Sequence, residues 1–191
     1  MDKALIIRNI DATAKAEIEK FGTPHIFHYE LSNQMGQEVA NKLHADTFVV
    51  ALGTRLMDLK LGEASSKNLR KEHVRMSSDA ARELMVGQGL DLLMIEKVCN
   101  CIEAHHKDVP FNFLEAEICA NADCYRFLTV KGFLAYLLVS GSRKTPFNEA
   151  ISFGESKFNE KLAILSLQIC KDELKQDIDE LKRIFSKAKS I

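Results

Sequence analysis

Proline and glycine are scarce, with three and nine in 191 residues. So few breakers exclude the many tight turns of an all-β sandwich and leave long helices with short connections, an all-α chain, as the expected fold class. Neither sign of charge is in excess. The 26 basic and 27 acidic side chains leave a formal charge of −1, which argues against a nucleic-acid partner. No apolar stretch approaches the roughly 18 residues that span a bilayer, so no membrane partner is expected. The opening MDKALIIRNI holds only a short apolar run, too short for the core of a secretion signal. Gly-rich phosphate loops, dinucleotide fingerprints and a Ser-His-Asp order are all missing. The cysteines Cys99, Cys101, Cys119, Cys124 and Cys170 are odd in number and form no CxxC pair. On a helix Cys99 and Cys101 point about 200° apart, which suits neither a clamp nor a bridge. Reduced thiols in a cytoplasmic protein are the expectation.

What is present is the mixture of an ordinary globular chain, 46% hydrophobic and 28% charged, without repeats or linkers. One domain over 1–191 is expected. Apolar spacing and end signals predict helices over 11–20, 25–44, 46–60, 71–87, 92–106, 113–127, 129–139 and 147–187. A strand has one place to hide, 46–54, where Val49 and Val50 are β-branched, but a buried helix is favoured there. The long last segment carries the stripe Phe158, Leu162, Leu165, Ile169 and then Leu174, Ile178, Leu181, Phe185. It reads as a helix that closes the core or as a homodimer contact.

The informative residues are polar ones on faces that periodicity buries, because an unpaired buried charge is costly. His28 opens the stripe His28, Leu31, Met35, Val39, Leu43; Asp123 lies among Ala116, Cys119, Ala120 and Phe127; Asp58 ends the most apolar helix. His105 and His106 follow Ile95, Cys99 and Ile102 at helical spacing, and His73 begins the preceding helix. Histidines and carboxylates gathered from several helices are the ingredients of a hydrolytic metal site. Each also has a plainer reading. His28 is then a hydrogen-bonded core histidine, Asp58 pairs with Arg55, and Asp123 pairs with Arg126.

The order of these residues resembles the HD-domain superfamily of metal-dependent phosphohydrolases, most clearly over 25–170. The stretch HYELSNQMGQEVANKLHADTFVVALGTRLMDLKLGEA resembles that family's first-histidine helix and its His-Asp doublet helix, which aligns His28 and Asp58 with ligands. HVRMSSDAARELMVGQGLD and IEKVCNCIEAHH resemble the next helix pair, where His73, His105 and His106 fall on positions that hold a second metal in some members. EAEICANADCYRFL resembles the helix that ends in the last aspartate ligand, Asp123. The resemblance implies an HD-like bundle with a long C-terminal helix and a divalent ion, Mn, Fe, Mg, Zn or Co. It also implies Asp58 and His73 in catalysis and a nucleotide or other small phosphorylated molecule as substrate. The bases Lys60, Arg70, Lys71 and Arg75, beside Lys67, form the one basic concentration near that site and are expected to hold the phosphate. One position departs from the family. Met57 stands where the doublet has its histidine, and a thioether is a poor ligand for such ions. His25 lies one turn before His28 and is the nearby substitute; His44 is about 24 Å from His28 along the helix. The alternative to a phosphohydrolase is an HD-like binding or regulatory module that has lost catalysis.

Thiol titration of the unfolded protein, prepared without air, is expected to count all five cysteines free. A lower count would contradict the reduced-thiol reading.

Overall fold

The computed structural model of the chain describes residues 2–189. Asp2 starts the first helix, α1 (Lys3–Phe21), by accepting the amide of Leu5, and Gly22 ends it in the left-handed conformation at φ 68°. The chain continues as α2 (Ile26–Lys42), α3 (Thr47–Leu56), α4 (Leu61–Ser66), a 3₁₀ turn (Arg70–Glu72), α5 (His73–Gly87) and α6 (Leu92–Glu103). After these come α7 (Leu114–Leu128), α8 (Val130–Ser142), α9 (Phe147–Ile164) and α10 (Gln168–Ala188). Among the described residues there is no strand, so 46–54 is helical, capped by Asp46 on the amides of Phe48 and Val49. No helix among them is long and apolar enough to cross a membrane.

The core is organised around α7, which packs against α2, α3, α6, α8, α9 and α10. Its small side chains Ala116, Cys119, Ala120, Ala122 and Cys124 are all buried and let these neighbours come close. Two glycines do the same for α2 and α3. A Cβ on Gly36 would stand 2.8 Å from Thr54 Cγ2, and one on Gly53 would stand 2.6 Å from Cys101 Cβ. The five cysteines are buried free thiols.

Several predicted elements differ at their ends, each for a local reason. The first helix begins at Lys3, not 11, because Ile6, Ile10 and Ala14 already form a buried i, i+4, i+8 stripe. The segment 46–60 stops at Leu56 and turns through Met57–Lys60. The segment 92–106 stops at Glu103, which places His105 and His106 in a turn closed by Lys107 at φ 63°. The segment 147–187 is two helices. The buried Asn121 of α7 accepts the amides of Ser166 and Leu167, both at 3.0 Å, and so supplies the partners that a helix start needs. The residues Leu174, Ile178, Leu181 and Phe185 face the core of their own chain. In α9 the inward residues are Phe158, Lys161 and Ile164, with Leu162 only half-buried. In α2 the inward face is His28, Ser32, Gly36 and Val39, rotated from the predicted stripe.

Met57 is 2% exposed and belongs to the hydrophobic core. Replacing it with His would bury an imidazole without a built partner, at a cost of about 1–3 kcal/mol. Urea unfolding of Met57→His should show that loss as a lower midpoint. An unchanged midpoint would mean that this side chain is not held in the core.

Candidate metal centre

Helix ends build the site. Asp58 sits in the turn after α3, His73 is the first residue of α5, and His105 and His106 follow the last turn of α6. The last carbonyls of a helix lack helical partners and are free to accept, as that of Ile102 is, whereas the Arg70 carbonyl also takes the His73 amide. His73 donates Nδ1–H to the carbonyl of Arg70 at 2.7 Å, and His105 donates Nδ1–H to that of Ile102 at 2.6 Å. His106 places Nδ1 3.2 Å from Glu160 Oε1. Carbonyls only accept, so Nδ1 carries the proton in neutral His73 and His105 and leaves their Nε2 as a lone pair.

The ring nitrogens converge. The Nε2 atoms of His73 and His106 are 3.4 Å apart, and one nitrogen from each of the three rings lies within 4.8 Å of the others. Asp58 Oδ1 stands 3.5 Å from His73 Nε2 and 3.8 Å from His105 Nε2. Bare nitrogens at that distance repel unless a cation or proton lies between them. A tetrahedral ion with bonds of roughly 2.0–2.1 Å to nitrogen has edges of about 3.3–3.4 Å between ligands. Three imidazole nitrogens within 4.8 Å of one another, with Asp58 Oδ1 at 3.5 and 3.8 Å from two of the rings, are donors that a divalent ion could draw together.

The charges hold Asp58 ionised and act in opposite directions on His105 and His73. Burial, with the neighbouring His106, pushes His105 down to about 3. Burial also pulls on His73, but the hydrogen bond and charge of Asp58 outweigh it and raise that ring. Burial alone would raise Asp58; the Arg126 guanidinium and the two histidines hold it well below the usual carboxylate range.

On the far side of Asp58 the structure holds cations of its own. Arg126 Nη1 donates to Asp58 Oδ2 and to Asp123 Oδ1, each at 2.6 Å. Lys161 Nζ lies 2.5 Å from Asp123 Oδ2 and 3.2 Å from Glu160 Oε1. Lys157 completes the group on Glu160 Oε2 at 2.5 Å. Asp123 is 1% exposed and Lys161 3%. Asp58, Asp123 and Glu160 are thus matched by Arg126, Lys157 and Lys161, a balance without which such burial would be prohibitive.

Of the predicted ligands, Asp58, His73, His105 and His106 come together with free donor atoms. His28 and Asp123 do not. His28 donates Nε2–H to the carbonyl of Gly132 at 2.9 Å, with its ring on Phe127, and burial pushes it down to about 4. Both oxygens of Asp123 are taken by Arg126 and Lys161. His25 caps α2, its Nδ1 accepting the amide of Phe27, and lines the cleft without entering the histidine group. Asp58 pairs with Arg126 and not with Arg55, which turns to Asp11.

A cleft open to solvent runs over this centre. Phe127, Tyr136 and Phe153 form an aromatic wall, while Arg70, Arg143 and Lys157 supply positive charge. Of the four bases expected to hold phosphate, only Arg70 lines it. Lys60 is tied to Glu17 and Glu63, Arg75 to Glu72 and Asp79, and Lys71 is exposed away from the cleft. Sequence reasoning missed Arg143, Lys157 and Lys161. The i, i+3 and i, i+4 run of Lys157, Glu160 and Lys161 was the available signal.

No protein-family model matches the chain, and no curated protein matches it. Solved structures do. The Lin1889 protein from Listeria innocua superposes with a TM-score of 0.68 at 15% identity, over 99% of this chain and 96% of that one. A predicted HD superfamily hydrolase from an uncultured Thermotogales bacterium superposes with a TM-score of 0.59 at 16% identity, over 83% of this chain and 88% of that one. The fold is therefore an all-helical, HD-domain-like bundle.

The depressed histidines give a pH dependence whose sign follows from proton counting. Between about pH 6.5 and 4 the unfolded chain takes protons on His28 and His105 that the folded chain refuses, so stability falls as acid is added. His28→Gln keeps a donor for the Gly132 carbonyl and removes the titrating nitrogen. It should flatten the slope of unfolding free energy against pH in that window by up to about 1.4 kcal/mol per pH unit. An unchanged slope in denaturant titrations would show that His28 is not held neutral.

Proposed function

We propose that this chain is a metal-dependent phosphohydrolase that acts on a small phosphate ester, with one divalent ion held by His73, His105, His106 and Asp58. The carrying observation is convergence: His73 and His105 each donate Nδ1–H to a backbone carbonyl, and one nitrogen of each meets one of His106 within 4.8 Å, beside Asp58 Oδ1. The name of the Thermotogales structure, a predicted HD superfamily hydrolase, points the same way as the resemblance of the sequence. When bound, a divalent ion there supplies Lewis-acid activation of water and positive charge for a phosphoryl group. The imidazole-rich set favours Fe, Zn or Co over Mg, and Mn less strongly. Four protein donors close a tetrahedral ion, so hydrolysis requires an ion that expands to five or six ligands and keeps positions open.

The protein's own groups then have definite tasks. Asp58 keeps Oδ2 on Arg126, which aims Oδ1 at the histidines. Arg70 and Arg143 line the cleft without carboxylate partners and are placed to hold a phosphate. Phe127, Tyr136 and Phe153 offer the organic part of the ester an apolar surface. Since the built-in charges already balance, a bound ion adds net positive charge, which draws a dianionic ligand.

One observation favours a second reading, a metal-binding regulatory module. The four-donor set is complete without water, as structural metal sites are. The two readings separate on measurement. Protein purified without added metal is expected to carry a first-row ion by elemental analysis and to hydrolyse a generic phosphoester such as p-nitrophenyl phosphate. His106→Ala should weaken ion affinity at least about tenfold and lower hydrolysis with it. Arg70→Ala should raise KM more than it lowers kcat. Metal-free protein that takes up no manganese, iron or zinc defeats the metal reading, and a tightly bound ion with no hydrolysis of any phosphoester leaves the regulatory module.

A further inference from the structure

The resemblance of the sequence would give two carboxylates, Asp58 and Asp123, to an ion shared with His28 and a doublet histidine. In this chain every one of those positions is committed to protein. Met57 lies in the core, His28 spends its Nε2–H on Gly132, and a single guanidinium nitrogen stands 2.6 Å from an oxygen of each aspartate. An ion bonded to both oxygens at about 2.0–2.2 Å would fall on the place that this nitrogen holds. The second oxygen of Asp123 faces the Lys161 ammonium at 2.5 Å. One guanidinium and one ammonium together carry the charge of one divalent ion.

We infer that Arg126, with Lys161 behind it, is a built-in replacement for one ion of a two-ion centre, so that the chain binds a single ion and only at the histidine end. For the position of that single ion this rests on the reading above; for the closed carboxylate end it rests on Arg126 alone. Asp58 is the hinge of the arrangement, since Oδ2 belongs to the guanidinium and Oδ1 to the histidines. The exchange makes half of the centre permanent: a guanidinium is charged at every working pH and no chelator removes it.

Manganese alone is the probe, applied to the full chain with equilibrium dialysis and electron paramagnetic resonance as readouts besides activity. Wild type is expected to bind one ion per chain with a mononuclear six-line spectrum. His106→Ala should lower its affinity at least tenfold, while Asp123→Asn should leave the count at one. Arg126→Met uncovers two carboxylate oxygens aimed at one point. Combined with His106→Ala it should bind manganese at least tenfold more tightly than His106→Ala does, and manganese should raise the melting temperature of Arg126→Met more than that of wild type. Two ions in wild type, or a spin-coupled pair, overturn the inference. A single ion that survives His106→Ala and disappears in Asp123→Asn also overturns it, because the ion then sits between the carboxylates. If Arg126→Met does not fold, these wild-type and single-variant counts decide. If wild type binds no ion, the histidine reading has failed, and the gain or absence of an ion in Arg126→Met then supports or overturns the replacement by itself.

Discussion

Two carboxylates lie buried side by side in this bundle, and most of the surrounding architecture answers to them. An ionised carboxylate removed from water costs several kcal/mol unless cations and hydrogen bonds replace its hydration. Asp123 projects from α7, the helix against which most others pack, and Asp58 reaches it from the turn after α3. Arg126, one turn beyond Asp123 on the same helix, bridges the pair, and Lys161 crosses from α9. Deleting one member of such a group strands its partner's charge, a loss of about 3–5 kcal/mol. The turn after α3, the packing of α9 on α7 and the inward face of α9 are therefore linked through charge as well as through apolar contact.

The histidine end follows a different logic, that of helix termini. A histidine just past the end of a helix meets the free carbonyls of its last turn, as His105 does. His73 begins α5 over the carbonyl of Arg70, and His105 lies over that of Ile102 where α6 has stopped. Those contacts select a tautomer before any ligand arrives. Glu160 faces His106 Nδ1 at 3.2 Å and is itself held by Lys157 and Lys161, so the two ends share one network.

The helical class was legible because apolar residues recur at 3.6-residue spacing and turn formers are few. His28, Asp58, Asp123, His73 and the His105-His106 pair were legible as polar residues on buried faces, and all of them line the cleft. Their partners were not. Periodicity reports that a side chain turns inward and says nothing of what it meets: Asp58 finds Arg126, 68 positions away, and His28 finds Gly132 at 104. Lys161 was masked by its apolar neighbour Leu162, which fits the stripe equally well on paper. The break between α9 and α10 depends on Asn121, a residue in another helix, and no local signal records it. The basic run from Lys60 to Arg75 misled for a related reason. Charge density along a sequence does not tell which bases are already paired, and Lys60 and Arg75 are.

Met57 and Arg126 are best understood together. Met57 lies in the core and offers only a thioether. Asp58 and Asp123 require positive charge whatever stands at that position. A guanidinium meets that need with two fixed hydrogen bonds, where a diffusing ion would have to be captured and would be lost to acid or chelators. That balance leaves Asp58 Oδ1 and the three histidines beside it outside the guanidinium's reach, the group to which the proposed function assigns an ion.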